Sequence, residues 1–159
     1  MGKHIPFTFC LLALLVCGCN VSTVSKDFTY KYSMESVCNF KVEFQLNSDL
    51  SYVITQENYF FDRFEGKHNP VEKEGTATKS EFETFRKLIR DSKIDKMEDA
   101  YGFNEEKNSG NSVLYMVTLT QNGKSKSVFI NAGTKQPFSK KFIALIEYTN
   151  SYINAHEKP

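Results

Sequence analysis

The chain has no tryptophan, only four prolines and only four cysteines among its 159 residues. Three of those cysteines fall within the first 19 residues, so the rest of the chain contains a single thiol, Cys38, and cannot form an intramolecular disulfide. Neither sign of charge is in clear excess, since 20 basic residues stand against 19 acidic ones. A nucleic-acid-binding domain needs a basic stripe, so we expect no nucleic-acid partner.

The sequence also lacks an apolar run of the roughly twenty residues that a membrane-spanning helix requires. Its longest apolar stretch covers about ten residues, 7–16, and follows a basic start at Lys3 and His4. A short apolar core behind a basic start is typical of an export signal. We therefore predict that residues 1–18 are a signal peptide.

The end of this signal reads Val16-Cys17-Gly18-Cys19. It resembles the lipobox of bacterial lipoproteins, where a branched apolar, a variable and a small residue precede the lipidated cysteine. The resemblance implies that Cys19 becomes the first residue and that its thiol carries diacylglycerol. Several acyl chains hold a protein stably at a bilayer, whereas one chain does not. We therefore expect a cell-envelope protein anchored through Cys19, at the outer membrane in preference to the inner; secretion after ordinary cleavage is the alternative.

The chain after the signal is long enough for one domain with its own core. Residues 19–26 are mostly small and polar, and they are typical of a tether between lipid and fold. We place the domain at residues 27–154 and expect residues 155–159 to form a frayed tail.

Alternation of apolar and polar residues predicts half-buried strands over 28–34, 40–46 and 50–54, with a turn at 47–49. Residues 57–78 carry weaker signals, and the segments that flank their loop can pair as an edge hairpin. A further hairpin is predicted over 113–130, because Asn122-Gly123 suits a type I′ turn. That turn sets three pairs of residues opposite each other: Val117 and Val128, Tyr115 and Ile130, and Leu119 and Lys126.

Two segments change to the helical period. The first covers 80–91, and either Thr78 with Glu81 or Ser80 with Glu83 can form its capping box. Its predicted apolar stripe comprises Phe82, Phe85, Leu88 and Ile89. The second is predicted to begin at Pro137, and its apolar face comprises Phe138, Phe142, Leu145, Ile146 and Thr149 or Ile153. Together these elements predict an α+β fold, in which an antiparallel sheet of about four to six strands carries both helices on one face.

Several short features follow one another in an order that matches a known family. They are Cys38-Asn39-Phe40, Ser80 to Phe82, Tyr115 with Val117 and Leu119, Asn122-Gly123, and Phe142 to Ile146. In these features the chain resembles a family of small domains without an assigned activity that occurs in bacterial exported lipoproteins. The resemblance implies the hairpin, helix, hairpin, helix order and an envelope address, and it implies no activity.

Motifs for catalysis or metal binding are missing, including the G-x-S-x-G elbow, C-x-x-C and H-E-x-x-H. The two histidines after the signal, His68 and His156, are interpreted as residues of a solvated loop and tail. We therefore predict a protein that is not an enzyme and that uses no metal or cofactor. The rival hypothesis is a small hydrolase or lyase in which His68 acts with a nearby carboxylate.

An aromatic cluster is the main candidate for binding. Tyr59, Phe60, Phe61 and Phe64 surround Arg63, and no single period buries all four rings on one face of a strand. One interpretation is an edge strand that covers the core; the other is an exposed patch for a protein or glycan partner. The sequence thus predicts a lipid-anchored binding or inhibitory module, with self-association of a structural envelope component through a strand edge as a further alternative.

Overall fold

Seven strands form one sheet in the part of the chain that the computed structural model describes, residues 27–36, 39–59, 62–63, 66, 69–103 and 113–156. The strands are β1 (Phe28–Ser36), β2 (Phe40–Asn47), β3 (Ser51–Glu57), β4 (Val71–Thr76), β5 (Ala100–Tyr101), β6 (Val113–Gln121) and β7 (Lys124–Asn131). Their order across the sheet is β4-β3-β2-β1-β6-β7-β5. β5 runs parallel to β7, and the other neighbouring pairs are antiparallel. The two long helices are α1 (Lys79–Ser92) and α2 (Lys140–His156).

The predicted α+β class with a mostly antiparallel sheet is confirmed, but the predicted count of four to six strands is wrong. The additional strand is β5, which has two residues and pairs with residues 129 and 130 of β7. Two residues are too few to display an alternating pattern, and parallel pairing with a distant segment depends on tertiary contacts. β4 forms the opposite edge of the sheet, but its partner is β3 and not the aromatic segment just before the loop, which the edge-hairpin prediction had paired with it.

Both helices pack on one face of the sheet. The ring of Phe44 on β2 lies 5.4 Å from that of Phe85 on α1 and 5.6 Å from that of Tyr152 on α2. Tyr30 on β1 pairs with Leu46 of β2, and it makes a buried 3.0 Å hydrogen bond with Thr149 of α2. Every buried residue of the described chain lies between Phe28 and Ile153, so a chain that begins at Asn20 contains the whole of this core.

α1 begins at a capping box, and the structure selects one of the two predicted boxes. The Thr78 hydroxyl accepts a hydrogen bond from Glu81 N, while the Glu81 carboxylate accepts one from Thr78 N at 2.8 Å. Phe82, Phe85 and Ile89 are buried as the apolar stripe predicted. The helix ends at Ser92, and the positive φ of 55° at the cap residue Lys93 turns the chain into a short 3-10 turn, Ile94–Lys96.

The β6–β7 hairpin has the predicted register. Val117 pairs with Val128, Tyr115 with Ile130 and Leu119 with Lys126. Asn122 and Gly123 have φ values of 51° and 71°. Positive φ at both central positions is what a type I′ turn requires, so the turn sequence and the buried face specify the same pairing.

α2 differs from its prediction at both ends. It begins at Lys140 and not at Pro137. Ser139 caps it, since Phe142 N donates to Ser139 Oγ over 3.1 Å. At the other end the helix continues through His156, which lies inside the tail expected at 155–159. Packing of the His156 ring on Tyr152, 4.0 Å between centroids, accounts for the extra turn.

Residues 1–26 lie outside the described part of the chain, and Cys19 lies with them. The signal peptide, the tether and the lipid on Cys19 therefore stay predictions. Within the described ranges, neither helix combines the length and the apolar character that crossing a bilayer requires.

Candidate functional site

The start of α2 lies between two concavities on the surface of the described chain. The first, which we call the basic pocket, has a volume of about 660 Å³. Its lining comprises Arg90, Asp91, Ser92, Lys93, Lys96, Met97, Tyr101, Pro137, Phe138, Ser139 and Lys141. These residues come from the end of α1, the 3-10 turn, β5 and the first turn of α2, so four separate segments meet at one depression.

The local sequence explains why these segments meet. The left-handed conformation of Lys93 reverses the chain after α1, which buries the side chain of Ile94 completely. β5 then pairs with β7, and this pairing fixes Tyr101 beside the segment that leads into α2. The ring of Tyr101 lies 4.9 Å from that of Phe138, so an aromatic contact within the lining joins β5 to the segment before α2.

The charge on the pocket is strongly one-sided. Among the described residues that line it, four are basic and one is acidic, whereas the whole chain has a formal net charge of only +1. Asp91 is already engaged, because its Oδ1 lies 3.0 Å from Nε of Arg90. Lys93, Lys96 and Lys141 therefore supply an excess of three positive charges around one cavity.

Helix dipoles account for some of these cations and not for others. Arg90 and Lys93 lie at the carboxyl end of α1, where positive charge stabilises a helix. Lys141 lies in the first turn of α2, at the positive end of that helix, where a cation is unfavourable by about 0.3–1 kcal/mol. That first turn, which the structure describes in full, contains no acidic residue, whereas the first turn of α1 contains Glu81. An anion in the pocket would supply the missing negative charge.

The hydroxyl groups in the pocket are engaged in holding its backbone. Ser139 Oγ accepts the hydrogen bond from Phe142 N that caps α2. Tyr101 Oη accepts a 3.0 Å hydrogen bond from Glu98 N. The lysines of this lining are the groups whose charge attracts an anion, since lysine binds phosphate and other anions as a point charge.

The second concavity, which we call the apolar groove, lies on the other side of Phe138 and has a volume of about 380 Å³. Its lining comprises Tyr115, Ile130, Ala132, Thr134, Gln136, Phe138, Phe142, Ile143, Ile146 and Glu147. Ile143 is 43 % exposed although its side chain is wholly apolar. Phe138 lines both concavities, so the basic pocket and the apolar groove adjoin at this ring.

The aromatic cluster predicted for binding is only partly described. Tyr59 is half-buried and Arg63 is exposed, while Phe60, Phe61 and Phe64 lie outside the described residues. Burial, and after it the carboxylates of Glu57 and Glu35, raise the pKa of the Tyr59 phenol. The exposed patch therefore stays a prediction, and so does the role of His68, which also lies outside the described residues.

His156 is packed, in contrast to the solvated tail that its position suggested. Its Nδ1 lies 2.8 Å from the Tyr152 carbonyl, and its ring also meets Tyr52 edge-on at 5.5 Å. Nε2 lies 4.0 Å from Oε1 of Glu81. The ring thus ties the end of α2 to β3 and to the start of α1, about 25 Å along α2 from the basic pocket.

Sequence reasoning missed the basic pocket. Its cations come from "RDSKIDK" at 90–96 and "SKK" at 139–141, which are far apart in the chain. Each segment taken alone is typical of a solvated surface. The signal that could have found it is the start of α2, where two lysines follow the capping serine and no acid balances them.

No metal-binding group of three or more His, Cys, Asp or Glu side chains is present within the described ranges. No protein-family model matches the chain, and no curated protein sequence is significantly similar to it. The likeness to the lipoprotein domain family therefore stays a prediction from the sequence.

Proposed function

We propose that this protein is a non-catalytic binding module of the bacterial cell envelope, held at a membrane by lipid on Cys19, and that it binds an anionic ligand in the basic pocket. The lipobox order at residues 16–19 supports the proposed location in the cell envelope. The observation that carries the binding function is the excess of three positive charges around a single cavity in an almost neutral chain.

Electrostatics favours a ligand with more than one negative charge. A pair of unit charges 4 Å apart contributes only about 1 kcal/mol in bulk water, so one lysine gives weak binding. Lys93, Lys96 and Lys141 act on the same volume, and their contributions add for a multivalent anion such as a phosphate. The dipole of α2 acts in the same direction, because its first turn borders the pocket.

Binding is a better account of this cavity than catalysis. General acid–base or nucleophilic chemistry needs a group whose proton can move within hydrogen-bond reach of the substrate. The described lining contains no histidine or cysteine, and its one carboxylate, Asp91, is paired with Arg90. The hydrolase hypothesis rests on His68 and predicts activity that disappears in a His68→Ala variant.

Lys141→Glu tests the function, because it should move folding and binding in opposite directions. Glutamate in the first turn of α2 complements the helix dipole, so the free energy of unfolding should rise by about 0.3–1 kcal/mol. The same change reverses a charge in the basic pocket, so affinity for pyrophosphate should fall about tenfold. Titration calorimetry and urea unfolding of the chain from Asn20 measure the two quantities.

Lys124→Glu is the matched control. Lys124 is exposed at the start of β7, outside the pocket lining, and its substitution makes the same change in net charge. It should alter pyrophosphate affinity less than twofold. Equal losses in the two variants would mean a response to net charge, and unsaturable pyrophosphate binding by the unsubstituted chain would equally refute the proposed site.

A further inference from the structure

We infer that the ligand of this site is amphiphilic, an alkyl phosphate whose anionic head lies in the basic pocket and whose apolar chain lies in the apolar groove. This inference rests on the proposed anion site and adds the chemical class of the ligand. A small inorganic anion would use only the first concavity and would leave the second without a role.

The two concavities are arranged as one bipartite site. Phe138 lines both of them, and its ring contacts one ring of each: Tyr101 of the pocket at 4.9 Å and Phe142 of the groove at 5.6 Å. The pocket that adjoins Phe138 is basic. The groove that adjoins the same residue is formed mainly by aliphatic and aromatic side chains, including the exposed Ile143.

The charges set the direction in which such a ligand lies. Glu147 borders the groove and would repel a phosphate, whereas the excess positive charge of the pocket attracts one. An alkyl chain buried beside Ile143, Ile146 and Phe142 leaves water for apolar surface, which the hydrophobic effect favours. Charge complementarity and apolar burial therefore both place the head at Lys96 and Lys141 and the chain at Ile143.

A comparison of methyl phosphate with hexyl phosphate tests this inference, because the two share a head and differ only in the chain. Burial of a methylene contributes enough free energy for roughly a fourfold gain in affinity. If three methylenes enter the groove, hexyl phosphate should therefore bind about sixtyfold more tightly. Titration calorimetry on the chain from Asn20 gives both dissociation constants.

Two variants separate the head from the chain. Ile143→Ser removes apolar surface from the groove without a change in charge, and it should weaken hexyl phosphate at least fivefold and methyl phosphate less than twofold. Lys96→Glu should weaken both ligands by a similar factor, about tenfold. Val71→Ser is the matched control, because Val71 is an exposed aliphatic residue on β4 at the far edge of the sheet and should affect neither ligand.

Failure of this inference differs from failure of the proposed function. Equal affinities for hexyl and methyl phosphate, with both weakened by Lys96→Glu, would overturn the amphiphile and leave the anion site in place. Affinities that Lys96→Glu does not alter would overturn both. Ile143 is exposed and not part of the buried core, so an unchanged thermal midpoint for Ile143→Ser shows that a loss of binding is local.

The source of the amphiphile is tested in a second arm, in which vesicles of phosphatidylglycerol diluted in phosphatidylcholine replace hexyl phosphate. Vesicle binding that both Lys96→Glu and Ile143→Ser weaken assigns the ligand to a membrane lipid. Sensitivity to both variants with hexyl phosphate alone assigns it to a soluble amphiphile. If the two variants weaken binding neither to hexyl phosphate nor to the vesicles, the bipartite site is refuted.

Discussion

Two buried tyrosines offer a test of the core in which the same substitution should have different effects. The hydroxyl of Tyr30 makes a 3.0 Å hydrogen bond with Thr149 inside the fold. The hydroxyl of Tyr152 is equally buried, but it has no hydrogen-bond partner among the described residues. Each tyrosine is at most 5 % exposed, so phenylalanine at either position preserves the ring packing and removes only the hydroxyl.

The magnitudes follow from the state of each hydroxyl. Thr149 donates its own proton to the Leu145 carbonyl at 2.8 Å, so Tyr30 is the donor in its bond with Thr149. Tyr30→Phe should therefore cost the net value of one buried hydrogen bond, about 0.5–1.5 kcal/mol. Tyr152→Phe removes a group that loses its hydration on folding and gains no bond, so its effect should be neutral or stabilising by up to about 1 kcal/mol.

Urea unfolding measures both effects under identical conditions. The slope of the unfolding free energy against urea should be the same in the two variants, since the ring packing is retained. The midpoint should fall for Tyr30→Phe and stay or rise for Tyr152→Phe. An equal loss in both variants would refute the reasoning, because it would mean that the Tyr152 hydroxyl is hydrogen-bonded in solution.

Three further predictions concern the core, the cap and the anchor. Phe85→Ala should cost about 3–5 kcal/mol in urea unfolding, whereas Phe129→Ala should cost under 1 kcal/mol, since Phe85 is fully buried and Phe129 is 44 % exposed. Hydrogen bonds from Thr78 lower the pKa of Glu81 below its ordinary 4.5. The stabilisation that they give is therefore present above pH 4.5 and is lost as the pH falls through the lowered pKa. In urea unfolding, Glu81→Gln should lose less unfolding free energy between about pH 6 and pH 3 than the unsubstituted chain. Mass spectrometry of the mature protein should find lipidated Cys19 at its amino terminus, and any other first residue would contradict the anchor.

Local patterns were sufficient for most of the fold. The Asn122-Gly123 turn and the alternating apolar residues of its strands specify the same register independently, which is why Val117 pairs with Val128 as predicted. Thr78 and Glu81 specify where α1 begins for a similar reason, since the cap and the apolar stripe agree. Such agreement between neighbouring signals makes a segment predictable from sequence.

The remaining features depend on contacts between distant segments. β5 exists because β7 lies beside it, and its two residues carry no periodic signal of their own. The late start of α2 reflects the contact of Phe138 with Tyr101, which holds the chain before Ser139 outside the helix. The basic pocket could not be predicted for the same reason, since no single lysine is unusual in its local sequence and the lysines form a cluster only when α1, β5 and α2 meet.

At the start of α2 the sequence departs from what helix stability alone favours. At the corresponding position α1 has Thr78 followed by Glu81, which completes a capping box and complements the dipole. In α2, Ser139 caps the helix, and Lys140 and Lys141 follow it with positive charge that opposes the helix dipole. Natural sequences tend to break a local rule where function requires it, so this conflict supports the proposal of an anion site at the first turn of α2. The Lys141→Glu variant measures both sides of that conflict: the helix dipole predicts a gain in stability whatever the function, whereas the proposed anion site alone predicts the accompanying loss of pyrophosphate affinity.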